Sequence, residues 1–199
     1  REYFATLLAD TKTELSEEVL EVIFNPEVDN KKVSLDANKD LLLASASNFY
    51  GPDVTEKEVT DFYAAKADKN NPEPISFGLN SKLVKGENGL EEQVWKSGGM
   101  YGTAIDEVIG WLDKAVTVSE NEGQGNALKL LIEYYQTGDL NTWDKYNVAW
   151  ASATEGDIDY INSFIEVYND PLGFRGSYET VVQINDFEAS ERMAVVANN

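Results

Sequence analysis

Neither cysteine nor histidine occurs anywhere in the 199 residues. Without cysteine there are no disulfides, no thiolate nucleophile and no thiolate zinc site. That absence fits a reducing compartment, so the expectation is a cytoplasmic protein. Without histidine a Ser-His-Asp triad is impossible, as is a catalytic zinc held by imidazoles. Cations are scarce: 16 Lys and Arg face 36 Asp and Glu, for a net charge of -20. Such a surface repels phosphate and anionic lipid, which argues against nucleic acid and membranes as partners. It attracts a cation such as a peptide's terminal ammonium, although acidity also serves solubility alone. No apolar run approaches the ~20 residues of a membrane helix. No signal peptide is seen and the first residue is Arg1, not Met. With an apolar stretch, Arg192 to Val196, just before Asn199, the sequence reads as an excised domain.

What is present is enough for a core, at 42% hydrophobic residues. Ser16 to Phe24 reads as a helix stopped by Asn25-Pro26. Val33 to Asn48, with Leu41-Leu42-Leu43-Ala44, reads equally as buried strand or helix. Thr55-Glu56-Lys57-Glu58 is a capping box that opens a helix carrying Val59, Phe62 and Tyr63 on one face. Pro74 to Val84 and Leu90 to Lys96 read as a hairpin around Gly86-Glu87-Asn88-Gly89. Met100 to Val118 is predicted helical, with Ile105, Val108, Ile109, Leu112 and Val116 at helical spacing and Trp111 counted on the same core stripe. Asn126 to Gln136 is a second helix with Gly138 as its C-terminal cap. Asn141 or Thr142 would cap a third, short helix through Trp143 and Tyr146. Ile158 to Tyr168 and Tyr178 to Ile184 read as strands, and Glu188 to Val196 as a last helix. The pattern predicts an α+β fold, a small antiparallel sheet or partial β-barrel flanked by helices.

Two imitations of known sites carry little. Asp36 to Asp40 resembles the start of an EF-hand loop, but Leu41 and Ser47 stand where that loop needs Gly and Glu, which argues against calcium. Ser97 to Gly102 resembles a dinucleotide loop without its first Gly, and a tight turn leading into a helix explains it better.

The stretch 160–170 is the most informative. On a strand, alternate residues face opposite sides. Ile161, Ser163, Ile165 and Val167 then share a largely apolar face, and Asn162, Phe164, Glu166, Tyr168 and Asp170 share the other. The second face would set a carboxylate, Glu166, for an ammonium beside a phenol, Tyr168, for a carbonyl or oxyanion. An ordinary half-exposed strand with polar residues outward has the same pattern, and periodicity leaves both readings open.

Phe164-Ile165-Glu166-Val167-Tyr168-Asn169-Asp170-Pro171-Leu172-Gly173 is similar to the signature of the dipeptidyl peptidase III family, with Ser163 where the family usually has Gly. The runs Phe77 to Lys85, Gly98 to Tyr101, Trp111 to Ala115 and Tyr134 to Leu140 resemble bacterial members in the same order. The resemblance implies one lobe, residues 1–199, of a two-lobed zinc peptidase; within it the order of elements suggests a helical sub-region at 98–150 and a strand-rich one at 151–187. It further implies that Glu166 holds the N-terminal ammonium of a short peptide and that Tyr168 contacts the scissile region. Two extended residues span roughly 7 Å, so an anchor at that distance from the reacting centre would place the cut after the second residue. The family's zinc motif, His-Glu-x-x-x-Gly-His, has no counterpart here. The zinc, the general base and the partner lobe are therefore expected on another part of the same chain, with no metal and no catalysis in this one. A stand-alone acidic peptide-binding or interaction domain is the alternative.

Overall fold

A computed structural model describes residues 2–11, 14–29 and 31–198; Arg1 and Asn199, the ends of the expected lobe, lie outside them. The α+β expectation holds. Seven α-helices and two antiparallel hairpins are found among the described residues. Of the two sheet forms expected, no closed barrel occurs among the described residues: the strands form two separate two-stranded antiparallel ribbons, with one isolated bridge from Tyr50 to Leu83 of the first. No described helix is long and apolar enough to cross a membrane.

Helix α1 (Glu2–Thr11), not foreseen in the sequence, is followed by α2 (Glu17–Phe24), which Ser16 caps by accepting from the Val19 amide. Residues 33–48 are neither strand nor helix but a series of turns. The carboxylates that imitate a calcium loop bind backbone instead: Asp36 accepts from the Asn38 amide, and Asp40 from those of Leu42, Leu43 and Glu56. Backbone amides that an apolar run offers to a helix or strand are thereby taken by side chains.

The capping box forms as read: Thr55 accepts from the Glu58 amide, and Glu58 reaches back to the Thr55 amide. Helix α3 (Glu56–Lys66) buries Val59 and Tyr63. Strands β1 (Ser81–Gly86) and β2 (Gly89–Val94) pair in register from Ser81↔Val94 to Gly86↔Gly89, so the first strand begins later than Pro74. These elements, with Leu42 and Tyr50, surround one hydrophobic cluster.

Gly98-Gly99 makes the tight turn into α4 (Gly102–Val116); a Cβ on Gly99 would lie 2.6 Å from the Val94 carbonyl oxygen. Ile105 and Leu112 of α4 point inward, but Trp111 does not. It is 67% exposed, with Lys114 Nζ 3.8 Å from its ring centroid. One residue from Leu112 is about 100° of helix, enough to leave the stripe, and the cation–π contact gives the ring a partner in solvent. Helix α5 (Glu122–Thr137) starts four residues before Asn126 because Asn121 caps it, and it ends at Gly138 with φ +72. Helix α6 (Leu140–Ser152) is longer than expected, and its cap is Asp139, upstream of Asn141 and Thr142. Helix α5 packs between α4 and α6 and supplies the centre of the larger core with Leu131, Tyr134 and Tyr135.

Strands β3 (Ile158–Glu166) and β4 (Ser177–Ile184) form the second ribbon, and α7 (Phe187–Ala197) follows. The Trp150 indole donates to the Tyr160 carbonyl (2.9 Å) and the Tyr135 hydroxyl to Asn162 Oδ1 (2.7 Å), tying β3 to the helical layer.

Candidate functional site

Strand β3 runs in simple register with β4 up to Phe164↔Tyr178, then skips one residue so that Glu166 faces Ser177. Ile165 is the extra residue of a β-bulge, which breaks the two-residue alternation. Next comes a single 3-10 turn, Val167–Asn169, with the Asp170 amide donating to the Val167 carbonyl.

The five-residue face drawn on the sequence is therefore not one surface. Phe164 belongs to the core, with ring centroids 4.8 Å from Trp95 and 5.7 Å from Tyr178. Asn162 is engaged by Tyr135, Tyr178 and Thr180. Asp170 is buried. Glu166 closes β3 half-buried, and Tyr168, in the middle of the 3-10 turn, is 71% exposed. On the presumed core face Ser163 is fully buried, whereas Ile161 is exposed.

Asp170 organises the chain that follows. Its Oδ1 accepts from the Leu172 amide (3.0 Å), and its Oδ2 from the amides of Phe174 and Arg175 (2.9 Å each) and from the Tyr50 hydroxyl (2.7 Å). The carboxylate thus closes the Pro171-Leu172-Gly173 turn from inside. Asn169 Nδ2 donates to Ser177 Oγ (2.8 Å) and the Gly176 amide to the Leu79 carbonyl (2.8 Å), which fixes the return into β4.

Arg175, also fully buried, lies beneath this turn. Its guanidinium carbon is 4.5 Å from the Tyr50 ring centroid and 4.9 Å from that of Tyr63. Nη1 donates to the Tyr50 hydroxyl (3.3 Å) and Nη2 to that of Tyr63. A buried cation without counter-charge is costly. Here each phenol accepts from the guanidinium and donates onward, Tyr50 to Asp170 and Tyr63 to Glu92 Oε1 (2.7 Å). Burial pushes both phenols well above their ordinary range, and Arg175 offsets that only in part. Both are therefore protonated donors at neutral pH. Burial also pushes Glu92 upward, but hydrogen bonds from Lys66, Tyr63 and Ser81 outweigh it and hold the carboxyl below its usual value. Gly78, at φ +83, lets the backbone approach: a Cβ there would lie 2.8 Å from Arg175 Nη1 and 2.8 Å from the Tyr63 hydroxyl.

Sequence reasoning named Glu166 and Tyr168 but missed Arg175, Tyr50 and the buried role of Asp170. One signal was available: a lone arginine in Gly-Phe-Arg-Gly, five residues after the signature aspartate, in a chain with few cations. No metal site accompanies them among the described residues. Histidine and cysteine are absent, and no group of three or more acidic side chains among the described residues could hold an ion. The residues present do not fit zinc.

The profile described as Peptidase family M49 matches residues 15–199. Dipeptidyl peptidase 3 of Homo sapiens is 29% identical over 86 residues, 43% of this chain and 12% of the human protein. That of Rattus norvegicus is 28% identical over 124 residues, 61% of this chain and 16% of the rat protein. Among solved structures, DPP III from Caldithrix abyssi superposes with a TM-score of 0.58 at 17% identity, over 83% of this chain and 31% of that one. Dipeptidyl-peptidase III from Corallococcus sp. strain EGB gives 0.55 at 17% identity, over 76% and 27%. At that identity the likeness is one of fold. The chain thus spans less than a third of the solved structures and a smaller share of the curated relatives.

Proposed function

The chain belongs to Peptidase family M49, and on that premise we propose that it is the non-catalytic, peptide-binding lobe of a zinc-dependent dipeptidyl peptidase III. In this reading Glu166 takes the N-terminal ammonium of a short extended peptide by a charge-assisted hydrogen bond, which favours a free amine over an internal amide. Tyr168 offers its phenol to the carbonyl of the scissile region, where negative charge grows during attack. The peptide backbone adds to a strand edge, as extended ligands commonly do.

The observation that carries the reading is the setting of the pair. Glu166 and Tyr168 lie two residues apart, on either side of the junction between a bulged strand and a 3-10 turn that the Asp170 amide closes on the Val167 carbonyl. The net charge of -20 favours a cationic ligand terminus. Exposed apolar residues on β4 and α7, such as Val182, Ile184 and Phe187, fit a lobe completed by more chain. The zinc and the general base come from that further chain, so residues 1–199 alone bind weakly and do not cleave.

The test is a titration of the 199-residue chain, followed by NMR, with a tetrapeptide bearing a free N-terminus and with its N-acetylated form. A charged hydrogen bond contributes about 1.5–3 kcal/mol, so the free amine should bind roughly tenfold tighter or better. Glu166→Gln should remove that preference. Equal binding of the two peptides by the unaltered chain overturns the anchor role.

A further inference from the structure

We propose that Arg175 is a positioning residue for the Glu166–Tyr168 pair, acting through the Tyr50 phenol and the Asp170 carboxylate to lock the 170–175 segment from which the 3-10 turn of Tyr168 is held. The inference rests on the function proposed above for that pair.

Tyr168 has few means of holding its own place. Its side chain is 71% exposed and has no hydrogen-bond or ring partner among the described residues. Its position is therefore set by its backbone: the Asp170 amide closes the 3-10 turn on the Val167 carbonyl, and Asp170 is held in place by the bonds its carboxylate makes to the following segment, 172–175. One oxygen of that carboxylate, Oδ2, receives two amides of the segment and the Tyr50 hydroxyl together. Tyr50 is 120 residues away in sequence, and the loop that carries it bridges to Leu83 of β1. Arg175 fixes the direction of that phenol. By donating to the Tyr50 oxygen, it leaves the phenol's own proton to point at Asp170. Its second nitrogen grips Tyr63 of α3, so one planar fork spans the signature turn and both elements behind it. A lysine cannot reproduce this, since an ammonium has no fixed fork and no flat face for two rings.

The two arms of the fork differ, and that makes the role testable. The Tyr50 hydroxyl leads to Asp170 and the signature turn; the Tyr63 hydroxyl leads to Glu92 on β2, while its ring stacks on Phe174 (4.8 Å), a contact that Tyr63→Phe retains. Tyr50→Phe and Tyr63→Phe each delete one buried hydroxyl at nearly constant volume. A purely structural node would respond alike to both.

The experiment measures two quantities on the 199-residue chain and on the variants Tyr50→Phe, Tyr63→Phe and Arg175→Lys. One is amide hydrogen exchange at Asp170, Leu172, Phe174 and Arg175, relative to the amides of α5. The other is the ratio of affinities for the free and acetylated tetrapeptides. Tyr50→Phe should speed exchange at the turn about tenfold or more relative to α5 and shrink the affinity ratio at least threefold. Arg175→Lys should do the same. Tyr63→Phe should lower the melting temperature while leaving both local quantities within about twofold of the unaltered chain. Equal responses to the two Tyr→Phe changes, or an Arg175→Lys variant with native exchange at the turn, overturn the proposal. If Arg175→Lys does not fold, the two phenylalanine variants decide it. If the unaltered chain shows no preference for the free amine, the peptide function fails, while the exchange data still accept or reject the lock.

Discussion

Replacing Gly78 by alanine should destabilise the protein by roughly 2–5 kcal/mol, well above the usual cost of a turn glycine. Gly78 sits at φ +83, where an L-residue costs about 1–2 kcal/mol for the backbone alone. The added methyl carbon would lie 2.8 Å from Arg175 Nη1, 2.8 Å from the Tyr63 hydroxyl and 3.0 Å from Tyr63 Cζ. None of these atoms is the free end of a flexible chain. Arg175 and Tyr63 are bonded to each other, and both are buried. Crowding of this kind in a packed site adds about 1–3 kcal/mol. Gly173 provides the control, at φ +71 with nothing within 4 Å of its would-be Cβ, so its alanine variant should show the backbone cost only. Urea unfolding followed by tryptophan fluorescence, with equal m-values required, measures both. If Gly78→Ala is no more destabilising than Gly173→Ala, the guanidinium is not cradled as described.

The capping box and α4 give two further expectations. Hydrogen bonds from the Thr55 amide and hydroxyl, with help from Lys85, hold the Glu58 carboxyl down at about 2, against an ordinary value of 4.5. A carboxyl lowered by folding adds stability above its ordinary value and loses it as pH falls toward about 2. The melting-temperature gap between the unaltered protein and Glu58→Gln should therefore be present at pH 6 and close between these two values; a gap independent of pH contradicts the assignment. Trp111, exposed while Trp95 and Trp143 are buried, should dominate acrylamide quenching. Trp111→Phe should lower the quenchable fraction of fluorescence with little change in stability, and an unchanged fraction would return that ring to the core.

Features encoded within a few residues were legible in the sequence. The Thr55 box, the Gly86–Gly89 turn and the Gly138 cap each depend on contacts at most four residues apart, and each formed as read. The run Leu41-Leu42-Leu43 was not legible, because flanking aspartates supply local acceptors that compete with regular structure. Trp111 misled because hydrophobicity does not say which side of a stripe's margin a ring takes. At the site, residue types at 164–173 pointed to Glu166 and Tyr168, but the bulge that separates Phe164 from them leaves no mark in a two-residue pattern. Arg175 was invisible for another reason. The partners of its guanidinium lie 112 and 125 residues upstream, and only the folded chain brings a lone cation between two phenols.

The extra residue at Ile165 also divides the labour of a single strand. Upstream of it, side chains answer to the helices they lie against, and a substitution there should be judged by melting. Downstream, they answer to a knot of amides around one carboxylate, and substitutions there should register first in ligand affinity. In a strictly alternating strand Phe164 and Glu166 would share one face; the extra residue instead sets Glu166 across from Ser177, on the side of the ribbon away from the Phe164 ring. One inserted residue thus takes the carboxylate off the core face without any change in the residues that build the core.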